Sequence, residues 1–271
     1  ETWSYIDFHV TNYTLGAIEM LDPARAPVLT FAERWLDAAH LDDWLDRRDW
    51  HDPWQEGNNL VNLASFLVLL LHFGAPAPRE RADRVLRHLL ERLEREQNPA
   101  TGFWGNGQEA GGDALLHAMA GAMHIFHLWY LIDRPLPHQH EAVRYALTLP
   151  ARDIISACLD VDAVDLLYHG AQSVADDRPA IDAFMRDKLA ALLDAQNQDG
   201  GFPDQHAGTL RFDGWVHGYS EPQGGSNTFA TWFRWIAIAL IAEHLWPGWH
   251  PWTFRRMIGI GYARTTALAH G

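Results

Sequence analysis

Apolar residues recur at i, i+3, i+4 and i+7 through Thr30–Leu45, Pro78–Glu96, Asp113–Ile132 and Pro179–Ala195, the period of a helix with one buried face. Strand-like alternation is scarce, and Thr209–Trp215 is its best instance. Glycine and proline fall between the helical stretches, at 74–78, 99–112, 135–137 and 200–225, where they end one helix and turn the chain toward the next. Composition does not shift across these breaks, so they read as connections within a single domain, residues 1–271. The expected class is all-α.

The helical segments are of two kinds. Arg/Glu-rich amphipathic ones alternate with almost wholly apolar ones, and the apolar ones are expected to begin near Tyr5, Asn58, Asp113, Asp160 and Asn227. Their spacing is roughly fifty residues, one helical hairpin per repeat. A helix apolar on every side has to be surrounded by protein, so these segments are predicted to be internal. An inner ring of helices inside an outer ring is an α/α toroid. A linear solenoid competes with it, but leaves its inner helices half exposed.

Two turns sharpen this expectation. LEREQNPATGFWGNG (Leu93–Gly107) and LDAQNQDGGFPDQ (Leu193–Gln205) share a helix end, a Gln-Asn pair, a turn, a glycine and an aromatic ring. Both resemble the QW-type repeat of terpene cyclases and protein prenyltransferase β subunits, over a minor part of the chain. The resemblance implies structural roles for Gln97, Gly102 and Trp104, and for Gln196, Gly201 and Phe202, with the glutamine capping neighbouring helices and the aromatic stacked on it. Similar QNxDGG turns occur in α/α-toroid polysaccharide lyases and glycoside hydrolases, so the resemblance speaks for a fold more than for a reaction.

Composition narrows the class further. The chain has 271 residues, 48% hydrophobic and 21% charged, enough for one sizeable core. Its 12% aromatic content, with 13 tryptophans, is far from that of a disordered chain. The longest apolar run, Leu63–Leu71, is about half the length a bilayer span needs. Acidic residues outnumber basic ones, 35 to 21, for a net charge of −14, which argues against nucleic acid as a partner. The one cysteine, Cys158, excludes an internal disulfide and a Cys-rich metal centre. No targeting segment is visible, and a chain beginning at Glu1 leaves open whether a signal peptide or domain precedes it, so no compartment is assigned.

Candidate chemistry sits on the apolar helices. Each carries a polar stripe: Tyr5, His9, Asn12; Asn58, Asn62, Ser65; Asp113, His117, His124; Asp162, Asp165, His169; and Asn227, Thr231, Arg234. Spacings of three, four and seven put each set on one helical face. In a toroid these stripes would converge on one mouth of the central channel, where helix N-termini add positive dipole ends. Asn58, Asp113, Asp160 and Asn227 stand where N-caps belong, whereas residues one or two turns further in call for a shared site.

Asp160, Asp162 and Asp165 are the sharpest carboxylate group, because neighbouring carboxylates cannot all ionise cheaply and one becomes a general acid. With His117 they form the expected catalytic set. The expected binding residues are His9, Asn12, Glu56, Asn58, Asn59, Asn62, Asp113, His169, Asn227 and Arg234, with Trp54, Trp104, Trp215 and Trp232 supplying flat apolar faces. His117 and His124 stand too far apart to chelate one ion by themselves, and no metal is expected.

Two motifs carry less than their letters suggest. DDWLD (Asp42–Asp46) has the form of a diphosphate–magnesium motif, but it ends an outer helix and runs into RRDWHDP, which marks a solvated helix end. DVDAVD (Asp160–Asp165) resembles the acid motif DxDD of class II terpene cyclases, with Ala163 in place of its fourth letter, an aspartate. The leading expectation is a glycan-processing enzyme acting on an oligosaccharide or small molecule, without a cofactor. Hydrolysis would pair Asp162 and Asp165 with another acid, such as Glu56 or Asp113. A uronate lyase or epimerase would use His117 or Tyr5 as base and Asn59 and Arg234 to hold the carboxylate. The alternatives are an isoprenoid cyclase or prenyltransferase-like enzyme using Mg2+, and a non-catalytic toroid that binds a partner.

Overall fold

The computed structural model describes residues 5–22, 27–132, 134–206 and 224–252. They form α1 (Tyr5–Leu21), α2 (Ala38–Asp46), α3 (Pro53–Phe73), α4 (Pro76–Glu96), α5 (Gly112–Leu131), α6 (Gln139–Ala146), α7 (Ala157–Gly170), α8 (Arg178–Asp194) and α9 (Thr228–Leu245). Among the described residues the β pairing consists of one isolated bridge, Phe202 with Asn227. The protein is all-α. The Thr209–Trp215 alternation lies outside the described residues.

The chain divides into two compact units, residues 1–138 with α1–α5 and residues 139–253 with α6–α9. In the first unit α3 packs against α1, α4 and α5. It starts where Asp52 accepts a hydrogen bond from the Gln55 amide at 3.2 Å and Pro53 takes the first helical position, a pairing that satisfies one orphan donor and removes another. From Glu56 to Leu70 every residue of α3 is buried. The following α4 buries one stripe, Ala82, Val85, Leu86, Leu89, Leu90 and Leu93, and leaves Arg79, Arg81, Arg84, Arg87 and Arg95 exposed.

Helix α1 departs from the internal role expected of it. Phe8 is its one buried residue, set among the rings of Trp35, Trp44 and Phe66, while Ile6, Val10, Tyr13, Met20 and Leu21 are exposed. The predicted helix over Thr30–Leu45 is also interrupted. A 3-10 turn covers Thr30–Trp35, and Asp37 then caps α2 by accepting from the Ala39 amide at 2.9 Å. A capping aspartate inside an apolar period restarts the helix rather than continuing it.

In the second unit α7 packs against α6 and α9, and α8 against α9. Helix α7 is buried on nearly every side. Ser156 caps it through the Leu159 amide at 3.3 Å, and Asn227 caps α9 through the Ala230 amide at 2.7 Å. The capping expectation therefore holds for Asn227. It fails for Asn58, Asp113 and Asp160, because α3, α5 and α7 begin earlier, after Asp52, Gly111 and Ser156.

The two QW-like turns share one geometry. Gln97 Nε2 donates to the Gly102 carbonyl at 2.8 Å, and Gln196 Nε2 donates to that of Gly200 at 2.9 Å. Gly102 and Gly200 hold φ of 78° and 83°, a conformation open to glycine at little cost. The structural counterpart of Gly102 is thus Gly200 rather than Gly201. The rings that follow, Trp104 and Phe202, are both buried. Gln97 also donates to the Pro137 carbonyl at 2.9 Å and is itself buried, whereas Gln196 is exposed.

Candidate functional site

The polar stripes of the first unit gather on α1 and α3. Asn12 Nδ2 donates to Asn62 Oδ1 at 2.9 Å, which turns the Asn62 amide nitrogen toward His9 Nδ1 at 3.4 Å. In this arrangement Nδ1 accepts and the ring proton belongs on Nε2. Burial pushes the His9 pKa down to about 4, so the ring is neutral near neutral pH. It lies against Tyr5 and Tyr13, with ring centroids 5.1 and 4.6 Å away. One turn earlier on α3, Asn59 Nδ2 donates to Glu56 Oε2 at 2.9 Å.

Glu56 is held in turn by the Asp49 amide at 3.2 Å and the Arg48 guanidinium at 3.6 Å. These contacts make it a brace for the loop before α3, not the free acid expected for hydrolysis. Asn58 spends its amide on the Trp54 carbonyl at 3.0 Å. Trp54 faces His117 of α5 with ring centroids 5.4 Å apart, so the aromatic and the imidazole expected at the site are neighbours. Asp113 is exposed in the first turn of α5, where its charge suits the helix dipole.

In the second unit the carboxylates of α7 divide by role. Asp160 is almost wholly buried; its Oδ1 takes the Lys188 ammonium at 2.7 Å and its Oδ2 takes Arg234 Nη1 and the Ile155 amide. Lys188 also donates to the carbonyls of Pro150 at 2.8 Å and Asp153 at 2.6 Å, and Arg234 Nη2 to that of Asp204 at 2.7 Å. A carboxylate committed to two cations and an amide has no capacity left for proton transfer. Asp160 therefore leaves the catalytic set, and Arg234, spent on the same network, leaves the binding set. The network escaped the sequence because Lys188 lies on α8 among apolar residues. Its signal was its singularity as the chain's one lysine.

Asp162 and Asp165 are buried as well, at 1% and 0% exposure. Asp165 Oδ1 lies 3.6 Å from His169 Nε2, one turn on, and the His169 ring reaches solvent where the carboxylate does not. Asp162 stands close to Cys158: burial first, and the Asp162 charge second, raise the thiol pKa well above its ordinary value.

One of the expected tryptophans proves to be packing. Trp104 is buried, donates Nε1 to the Leu93 carbonyl at 2.9 Å and stacks on Trp129 at 5.9 Å; it is a core residue and not a sugar platform. Trp232 is 44% exposed beside Phe233. Trp215 lies outside the described residues.

The DDWLD segment is consumed in ion pairs. Asp42 meets His88 at 2.9 Å and Arg92 at 3.0 Å, Asp46 meets Arg92 at 2.5 Å, and Asp43 meets Arg47 at 2.5 Å. Burial works to raise the Asp42 pKa, but the bonds from His88 and Arg92 outweigh it and hold the carboxyl below its ordinary value.

Comparison of the chain with protein-family models, curated proteins and solved structures finds no match.

Proposed function

We propose that the chain is a glycan-processing enzyme on an α/α toroid, with hydrolysis as the favoured reaction. The carrying observation is the group formed by His9, Asn12 and Asn62, with Asn59 one turn away on α3 and Trp54 of that helix against His117 of α5. Neutral carboxamides and a neutral imidazole match hydroxyl groups, and flat rings match the apolar face of a pyranose. Within the second unit, taken by itself, His169 of α7 is the candidate to move a proton, with Asp165 beside it to orient the ring and balance imidazolium charge.

The isoprenoid alternative loses support from the same geometry. A diphosphate with magnesium needs carboxylates that are open to a cation. Asp42 and Asp46 are engaged by His88 and Arg92, and Asp160 by Lys188 and Arg234.

The test is incubation with neutral oligosaccharides, uronate oligomers and, separately, farnesyl diphosphate with Mg2+. New reducing ends from a neutral oligosaccharide are expected. Diphosphate release without any sugar turnover overturns the proposal, and sugar binding without turnover reduces it to a binding domain.

A further inference from the structure

We infer that the tryptophan face of α9 is a docking surface for a neutral glycan chain; the class of ligand rests on the glycan reading above. Among the described residues of the second unit, the exposed large apolar side chains are Leu193 of α8 and Trp232, Trp235, Trp246 and Trp249. Steps of three and eleven residues keep Trp232, Trp235 and Trp246 within a sector of about sixty degrees around the α9 axis. Trp235 and Trp246 stand about 16 Å apart along that axis. Beyond Trp246 the chain turns back through Gly248, at φ 77°, and the Trp249 amide donates to the Trp246 carbonyl at 3.0 Å. His250 Nε2 and Glu243 Oε2, 2.6 Å apart, pin the returning strand of chain, and Trp252 ends beside Trp235 with ring centroids 6.1 Å apart. Rings therefore stand in two groups on one face, Trp232, Trp235 and Trp252 in the first and Trp246 and Trp249 in the second. Trp249 is 90% exposed, a large ring left in water on a turn that is already fixed.

The chemistry of the face selects its occupant. A protein partner or a bilayer is met by aliphatic side chains as readily as by aromatic ones, yet every exposed large apolar group described on this face is an indole. An indole offers a flat apolar surface and one N–H donor, which complement the C–H face and hydroxyl rim of a pyranose. Charge points the same way. Between residues 224 and 252 the Lys, Arg, Asp and Glu side chains are Arg234 and Glu243. Arg234 is buried on Asp160, and Glu243 meets His250. This stretch thus presents no uncompensated cation, which a nucleic-acid strand, an anionic leaflet or a uronate chain calls for. A neutral sugar calls for none. The distance between the two groups exceeds one sugar ring, so a chain of several sugars engages both while a short one meets a single group.

The experiment measures Kd for the full chain by calorimetric titration with neutral gluco-, galacto- and manno-oligosaccharides, from disaccharide to octasaccharide. In one of these series affinity should rise steeply with chain length. Trp249→Ala, alone and combined with Trp246→Ala, should weaken the octasaccharide roughly tenfold or more and flatten that rise. Trp249→Tyr keeps a flat ring and should recover most of the affinity, whereas Trp249→Leu keeps only apolar bulk and should not. Should the double variant unfold, the Trp249 series decides by itself, because a ring this exposed contributes little to the fold. Wild-type octasaccharide affinity in Trp249→Ala, or recovery by leucine as complete as by tyrosine, overturns this inference alone. So does a loss of phosphatidylcholine–phosphatidylserine vesicle binding, or of self-association, in variants whose sugar affinity holds; the face would then meet a membrane or a second copy. Sugar bound through these rings and never hydrolysed leaves the inference standing and overturns the hydrolytic reading. Failure of every sugar to bind overturns both.

Discussion

Gly57 of α3 and Gly121 of α5 lie backbone against backbone: a methyl on Gly57 would overlap the Gly121 carbonyl, and one on Gly121 the carbonyl of Pro53. The contact sets how close α3 and α5 approach, and hence that Trp54 reaches His117. Gly57→Ala and Gly121→Ala should each destabilise by about 1–3 kcal/mol or more, since the obstructing atoms are backbone and cannot rotate away. Thermal or urea unfolding checks this. A melting temperature raised by the better helix propensity of alanine would show that the helices can separate at no cost.

The second prediction concerns the buried charges of the second unit. Lys188→Met should cost about 3–5 kcal/mol, because it leaves Asp160 with one cation fewer and two carbonyls without a donor. The Cys158 thiol, whose pKa burial raises, should react slowly with thiol reagents in the folded wild type and faster in the variant. Equal unfolding curves would mean that the network contributes order but no stability.

The element pattern was legible in the sequence because it rests on periodicity alone. Helices α3, α4, α5, α7, α8 and α9 stand close to where apolar spacing placed them. What the period could not carry was which polar residue within it acts locally. Asp37 splits a helix, Asp52 and Ser156 take the caps assigned further along, and the short helix α6, which spacing did not announce, buries Ala142, Val143 and Ala146. The site was legible only as stripes. His9, Asn12 and Asn62 do meet, and His169 does stand by Asp165. Asp160 and Arg234 looked alike in pattern, but their roles depend on Lys188, a partner distant in sequence that no spacing rule reveals.

The paired turns separate two glutamines that look equivalent in sequence. Gln97 is buried and serves the Gly102 and Pro137 carbonyls, whereas Gln196 is exposed and serves the Gly200 carbonyl within its own turn. Gln97→Ala should cost about 1–3 kcal/mol. Gln196→Ala should stay within about 0.5 kcal/mol, less than a buried cap would give. Melting temperatures of the two variants side by side decide it, and a larger loss at Gln196 would reverse the assignment.

His9 gives a pH dependence with a definite sign. Its folded pKa, about 4, lies below the ordinary imidazole value of 6.5, so the unfolded chain binds the proton more readily between them. The stability contribution is complete above the unfolded pKa and falls as pH drops from 6.5 toward 4. It amounts to at most about 3 kcal/mol, reduced by the partial exposure of the ring. His9→Gln should remove this component, so the difference between variant and wild-type stability should narrow on acidification. A difference constant across that window would mean that the ring is protonated in the folded protein.

The catalytic reading turns on whether Asp165 and His169 work as one unit. His169 reaches solvent while Asp165 is fully enclosed, with 3.6 Å between Oδ1 and Nε2. If the imidazole moves the proton, the carboxylate acts only through it. Asp165→Asn keeps the shape and removes the charge, and should lower kcat by roughly a hundredfold while leaving the fold close to wild type. His169→Ala should lose at least as much. The double variant should then lose little beyond His169→Ala alone, because a positioning residue has nothing left to position. Independent, multiplying losses would instead give Asp165 its own contact with substrate and separate it from His169. Full activity in Asp165→Asn would remove α7 from the chemistry altogether and leave its buried carboxylates to the fold.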